Sequence, residues 1–434
     1  MNRLNPTIPE IAENLNKENW EIEDVIKNSL TVIEERENLI AALLSENNRQ
    51  KRMEQSIEEQ KANYSSDTAK PNLYGVPVAV KDIFHLNGFK TRAGSQLNPD
   101  LLTESEGYII KKLRAQGALF LGKSVTTEFA YFVPGPTRNP HNLDHTPGGS
   151  SSGSAAAVAA GYCPLALGTQ TIGSVIRPAA FCGIIGFKPT YSRIPLEGLI
   201  KFSESVDHIG FFTRTVRGME IAFASLVPDG QFKKVKDLSR PVLGQPDQSY
   251  IKQSDNIALR NFAASKLALL ESGYEIKQTS ILENIEKINN LHRILIAYDF
   301  ARVHEDWYKE YKGLYRQETA DLIEKGFNIK KEDYLQAKDD RIKLRDRFKE
   351  IMNKKGIDIF ISPSATGPAP EGIDSTGDPV MNLPWTNAGL PTLTVPAGKT
   401  MKGLPLGLQL SAEYGADEKL LKWAGNITEL LRDY

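Results

Sequence analysis

Between Pro147 and Gly183 the chain carries two clusters of glycine and hydroxyl residues, each running into small apolar side chains. The first reads Pro147-Gly-Gly-Ser-Ser-Ser-Gly-Ser-Ala-Ala-Ala-Val-Ala-Ala-Gly161. The second reads Leu167-Gly-Thr-Gln-Thr-Ile-Gly-Ser174-Val-Ile-Arg177-Pro-Ala-Ala-Phe-Cys-Gly183. Glycine and serine ahead of an alanine-rich run predict a tight loop feeding a helix N-terminus, where amide N–H groups lie exposed with a partial positive charge. The second cluster repeats the device around Ser174. Backbone amides there can approach a ligand closely, as an oxyanion hole requires. Composition alone leaves a plainer alternative open, a pair of helix caps and turns.

The surroundings read as an α/β protein. Gly75-Val-Pro-Val-Ala-Val-Lys81 predicts a buried strand ending on a polar residue, and Ala118-Leu-Phe-Leu-Gly122 a second, with a helix over 108–116 between them. Strand character returns at Asp358-Ile-Phe-Ile-Ser362, Pro391-Thr-Leu-Thr-Val-Pro396 and Gly407-Leu-Gln-Leu410, before a closing helix. Residues 1–65 are polar, with Ile26, Leu30, Ile33, Ile40, Leu43 and Leu44 at helical spacing. They predict a helical arm of one long or two shorter helices covering the core. Residues 66–434 are expected to form one compact unit, with a charged helical insertion around 216–355, because no repeat or low-complexity linker interrupts them. Within that insertion 257–271 and 332–354 read as solvent-facing helices.

The net charge of −1 gives no general pull toward nucleic acid or an anionic membrane, and neither is expected as a partner. Two cysteines, Cys163 and Cys182, make neither a disulfide framework nor a Cys-rich zinc site, and the histidines show no H-E-x-x-H pair. No metal is expected, and a reducing, cytoplasmic setting is. Residues 1–20 lack an apolar signal core, and the most apolar stretch, 155–167, is short and broken by Gly161 and Pro164.

Three partial motifs lack their physical context. Gly117-Ala-Leu-Phe-Leu-Gly122-Lys123-Ser124 fits a P-loop pattern, but a phosphate cradle needs a flexible loop after a strand, and Ala-Leu-Phe-Leu is suited to be the strand itself. Gly149-Ser150-Ser151-Ser152-Gly153 fits a nucleophile elbow, but turn formers rather than a strand precede it. Asp144-His145 reads as a solvated loop rather than part of a Ser-His-Asp triad.

Taken together, the motifs resemble the amidase-signature family. The Pro147 segment resembles its Gly/Ser-rich loop, Gly168-Thr-Gln-Thr-Ile-Gly-Ser174 its nucleophile segment, and Gly75-Val-Pro-Val-Ala-Val-Lys81-Asp82 its lysine strand. Further matches follow in order at Thr91-Arg-Ala-Gly-Ser95, Gly122-Lys-Ser-Val-Thr-Thr-Glu-Phe-Ala130, Gly183-Ile-Ile-Gly-Phe-Lys-Pro-Thr190, Ser205-Val-Asp-His-Ile-Gly210, Asn387-Ala-Gly-Leu-Pro391 and Gly403-Leu-Pro-Leu-Gly-Leu-Gln409. The resemblance spans about residues 70 to 412. It implies a single α/β/α domain with a large mixed sheet flanked by helices. It also implies Ser174 as nucleophile, Ser150 as a bridging serine held by a cis peptide, and Lys81 as base. The amides of Thr171, Ile172, Gly173 and Ser174 would form the oxyanion hole.

Such a trio has a physical logic. A serine hydroxyl is a poor nucleophile until a base takes its proton, and lysine can be that base only when neutral. Burial beside other positive potential would push Lys81 toward neutrality. The implied activity is cleavage of a small carboxamide through an acyl-enzyme on Ser174, with no cofactor. A homodimer is compatible with it.

Ile172 departs from the family pattern, standing where Gly or Ala is common; it either narrows the pocket or disturbs the loop. Gln170 replaces an Asp, and Arg177 lies three residues after the nucleophile instead of two. This arrangement resembles the malonamidase-like branch, in which the shifted arginine is associated with a substrate carboxylate. A guanidinium can clamp such a group bidentately, or it can tie down a loop. The motifs are also related to those of the glutamyl-tRNA amidotransferase component that supplies ammonia. The alternatives to a simple amidase are a biosynthetic acyltransferase, a non-catalytic binding protein and an ammonia-supplying subunit of a tRNA-dependent amidotransferase.

Overall fold

The computed structural model describes residues 6–64, 69–228, 235 and 238–431. A single ten-stranded mixed sheet runs through it. In chain order its strands are β1 (Pro77–Lys81), β2 (Leu119–Ser124), β3 (Leu165–Gln170), β4 (Ile185–Lys188), β5 (His208–Thr213), β6 (Leu243–Gln245), β7 (Ile276–Gln278), β8 (Ile359–Pro363), β9 (Thr392–Lys399) and β10 (Pro405–Ala412). Across the sheet the order is β2-β1-β3-β5-β4-β9-β10-β8-β6-β7. The flanks β2-β1-β3 and β8-β6-β7 are parallel, and the middle from β3 to β8 is antiparallel.

Helices flank this sheet. The first are α1 (Ile8–Asn16), α2 (Ile22–Ile40), α3 (Arg49–Asn63), α4 (Pro99–Leu102) and α5 (Tyr108–Ala115). Then come α6 (Ser152–Ala159), α7 (Ile176–Phe181), α8 (Val216–Leu226), α9 (Gln248–Ile251) and α10 (Asn256–Glu271). The chain ends with α11 (Ile285–Tyr311), α12 (Gln317–Phe327), α13 (Lys331–Lys355), α14 (Leu383–Ala388) and α15 (Asp417–Leu431). Of residues 1–65, read as one or two helices, the described ones hold three, because the chain turns left-handed at Glu18 between α1 and α2 and at Ala41 at the end of α2. The 216–355 stretch supplies the strands β6 and β7 as well as helices. Among the described residues no helix is long and apolar enough to cross a membrane.

The central strands are buried on both faces, which is why Val78, Ala79 and Val80 run on without polar alternation. Each fully buried Val, Leu, Ile or Phe side chain contributes about 1.5–3 kcal/mol to holding the layers together. Helix α6 can lie close to the sheet because its residues are small. A Cβ on Gly153 would stand 2.1 Å from the Ala42 carbonyl oxygen and 2.5 Å from the Val125 nitrogen. Gly153 is thus a packing requirement at the start of this helix.

Candidate active site

Lys81 is the last residue of β1, and β1 pairs in parallel with β3 at Val80 and Leu167. Both strands therefore deliver their carboxyl ends to one place, where α/β sheets commonly bind ligands. Lys81 Nζ donates to Ser150 Oγ and to Thr169 Oγ1, each at 2.8 Å. Its side chain is wholly buried. Burial lowers its pKa to about 7, and the nearby Asp207 carboxylate opposes that shift. The expected positive neighbour is not what depresses this lysine: loss of water does so, against a negative neighbour.

Ser150 follows a cis peptide bond from Gly149 and sits just ahead of α6. Ser150 and Ser174 line one cavity together with Thr171, Ile172, Gly173 and Arg177. The structure thus brings together Lys81, Ser150, Ser174 and the anticipated amide-bearing loop. A second cavity of about 420 Å³ adjoins it and shares Tyr131, Phe132, Ile172 and Pro379 with it.

The loop from Thr171 to Ser174 is held from behind. Gln170 Oε1 accepts from the amides of Val175 (2.8 Å) and Ile176 (3.0 Å), and its Nε2 donates to Thr386 Oγ1. Thr386 Oγ1 donates to the Ile172 carbonyl at 2.7 Å. A neutral amide can bond in both directions at once, which the carboxylate usual at this position cannot do. His292 Nε2 donates to the Thr171 carbonyl at 3.0 Å, so its Nδ1 is the acceptor facing Asn387 Nδ2 at 3.2 Å. Burial keeps this imidazole neutral, with its pKa lowered to about 3. Among the described residues, no protein acceptor engages the N–H groups of Thr171, Ile172, Gly173 or Ser174. Gly173 has to be glycine: a Cβ there would lie 2.3 Å from Asn382 Oδ1 and 2.9 Å from Pro379 Cβ.

Arg177 is only 2% exposed and ties loops together. It donates to the carbonyls of Gly377 (2.6 Å) and Gly149 (2.7 Å) and to Thr376 Oγ1 (3.1 Å). The Gly149 contact braces the residue just before Ser150. Among the described residues its Nε has no hydrogen-bond partner, and burial lowers the guanidinium pKa to about 10, opposed by Asp378.

Sequence reasoning gave no role to Thr169, Asp207, Gln170, His292 or Asn387. Asp207 accepts from Thr171 Oγ1 (2.5 Å) and from the amides of Phe202 (2.7 Å) and Ser203 (3.0 Å). Burial raises its pKa to about 6. Its place in the Ser205–Gly210 motif was the available signal. His145, expected to be solvated, is buried and bonded through Nδ1 to the Ala369 carbonyl at 2.9 Å, away from both serines' cavity. Lys123, the lysine of the P-loop pattern, lies within strand β2 and pairs with Asp82 at 2.9 Å. Among the described residues no three His, Cys, Asp or Glu side chains group as a metal would need.

A serine pair above a buried lysine, at the carboxyl ends of parallel strands in a mixed sheet, defines a class of amide-acting α/β enzymes. Residues 24–421 match the family described as Amidase, and the chain belongs to that family. It is 29% identical to a glutamyl-tRNA(Gln) amidotransferase subunit from Alkaliphilus metalliredigens, covering 98% of this chain and 96% of that one. It is 32% identical to the protein of the same name from Syntrophus aciditrophicus, over 86% of this chain and 87% of the other. A solved amidase structure superposes with a TM-score of 0.87 at 29% identity, covering 98% of this chain and 99% of its own.

Proposed function

We propose that this chain cleaves a small carboxamide through Ser174, with Ser150 relaying protons to Lys81. The observation that carries the reading is the environment of Lys81: a buried ammonium or amine in contact, among the described residues, with two hydroxyls and no carboxylate. A lysine with a pKa of about 7 is substantially neutral at physiological pH and can act as a base. The Ser174 proton passes to Ser150 as the Ser150 proton passes to Lys81, and Ser174 Oγ bonds to the amide carbon. The carbonyl π pair moves to oxygen, where the amides of residues 171–174 stabilise it. One such donor is worth about 3–4 kcal/mol in the transition state. Collapse expels the amine, which takes its proton back through Ser150. Water then attacks the acyl-enzyme by the same relay in reverse roles, releasing a carboxylic acid. Arg177 positions the Gly149–Ser150 segment, and its unpartnered Nε supports an acid-bearing substrate as the preferred class.

A second reading has support of its own: the curated relatives that align over nearly the full chain are named as amidotransferase subunits. There, the ammonia released would be handed to a partner reaction rather than to solvent. Ammonia release by the isolated chain, from a panel of neutral and acid-bearing carboxamides with Ser174→Ala as control, tests the proposal. Turnover abolished by the substitution is the expected result. Turnover that survives it removes the assignment. Release that appears only with a co-purifying subunit favours the second reading.

A further inference from the structure

The inner cavity, which holds Ser150, Ser174 and Arg177, measures about 10 Å³, room for about one water. The outer one, at about 420 Å³, is far larger and is lined by apolar Ile296, Leu322 and Leu383 and by charged Arg293, Glu318 and Lys325. They meet at a neck formed by Tyr131, Phe132, Ile172 and Pro379. Whatever is attached to a carbonyl at Ser174 and extends outward has to cross that neck.

The neck residues differ in how far they can yield. Phe132 is 37% exposed and has solvent to move into. Ile172 does not. Its carbonyl is held by Thr386 Oγ1 at 2.7 Å, and the residue after it is wedged against Asn382 and Pro379. A β-branched side chain is also stiff about χ1. Neither backbone retreat nor easy rotation widens the passage at this side.

We infer that Ile172 is a specificity-determining residue, a fixed post that admits substrates unbranched next to the reacting carbonyl and leaves a larger polar end in the outer chamber. The inference rests on Ser174 being the nucleophile. The loop departure at this position is then a narrowing of the pocket rather than a defect, since the carbonyl of Ile172 and the loop behind it keep their hydrogen bonds.

The test is the second-order rate at which the full chain is covalently labelled, read by intact mass, with two probes. One is a linear alkyl fluorophosphonate and the other is diisopropyl fluorophosphate, applied to the natural protein, Ile172→Ala and the milder Ile172→Val. The natural protein should favour the linear reagent. The linear-to-branched ratio should fall by about tenfold or more in Ile172→Ala, the scale of a small apolar pocket change, with Ile172→Val between. The ratio is the readout because the amide of residue 172 also belongs to the oxyanion loop, so absolute rates move for both reagents. An unchanged ratio in both variants overturns the filter alone. No labelling of any protein by either reagent overturns the nucleophile assignment, and the filter with it.

Discussion

Lys81 and Lys123 lie on neighbouring parallel strands, both sealed from water, and differ in what meets the ammonium. Lys123 stands opposite Val80 in register, and side chains alternate along a strand, so the two lysines leave the sheet on opposite faces. Asp82, two residues beyond Val80, follows the Lys123 side and pairs with it at 2.9 Å. Lys123 Nζ also donates to the Phe84 carbonyl, and Asp82 Oδ2 accepts from the amides of Arg92 and Ala93. Burial pushes both partners toward their neutral forms, and their contact counters it. Among the described residues Lys81 Nζ hydrogen-bonds to the Ser150 and Thr169 hydroxyls and to no carboxylate. The same side chain at similar depth therefore has a carboxylate partner in one place and, in the other, the surroundings that the proposed role of proton acceptor requires. The direct carboxylate partner makes the difference.

The largest expected effect comes from taking each lysine away. Lys81→Met should lower kcat/KM for amide cleavage by at least about a thousandfold, the upper range of a lost general base. It should leave the melting temperature unchanged or higher, because a buried amine with no carboxylate contact among the described residues, whose charge burial disfavours, gives way to an apolar chain of similar length. Ammonia release and a thermal melt on the same preparation measure both. A variant that is inactive because it is unfolded would place Lys81 beside Lys123 as a structural residue.

Lys123→Met should do the reverse. It strands the Asp82 carboxylate in the interior, at a cost of about 3–5 kcal/mol. Adding Asp82→Asn to it should recover most of that loss, since the amide oxygen can still accept from Arg92 and Ala93. Denaturant unfolding of the single and double variants reads the difference. Equal stability of the two would show that the pair does not hold this corner of the fold.

How far this contrast was legible in the sequence follows from the range of the interactions. Strands β1, β2, β8, β9 and β10 announced themselves through apolar runs bounded by glycine, proline or charge. β6 and β7 did not: each is three residues long and lies within a charged, helix-rich stretch. The trio of Lys81, Ser150 and Ser174 was accessible because each sits in a local motif. Asp207, His292 and Thr386 reach the loop at 171–174 from elements 36 to 214 residues away; the Ser205–Gly210 motif marks Asp207 but not its contact, and no local pattern marks the other two. Arg177 shows the same limit: its contacts with Gly149 and Gly377 reach 28 and 200 residues along the chain, so no local pattern shows that it ties these loops together.

The smallest effect is also the most specific, because it acts on Lys81 without touching it. Activity should rise with pH through about 7, as Lys81 loses its proton. Asp207, with its own pKa at about 6, is largely ionised there and raises the lysine's pKa from a distance. Asp207→Asn removes that charge while leaving one oxygen to accept hydrogen bonds. Lys81 then holds its proton less tightly, so the acid limb of the kcat/KM profile should move down by on the order of one pH unit. Stability carries the matching sign. Between about 7 and the ordinary lysine value of 10.5, the unfolded chain binds a proton that the folded one does not. The contribution from Lys81 therefore grows as pH rises across that window, is complete above it, and should vanish in Lys81→Met. An acid limb that stays put in Asp207→Asn would mean that another group titrates there, and the contrast with Lys123 would lose its electrostatic basis.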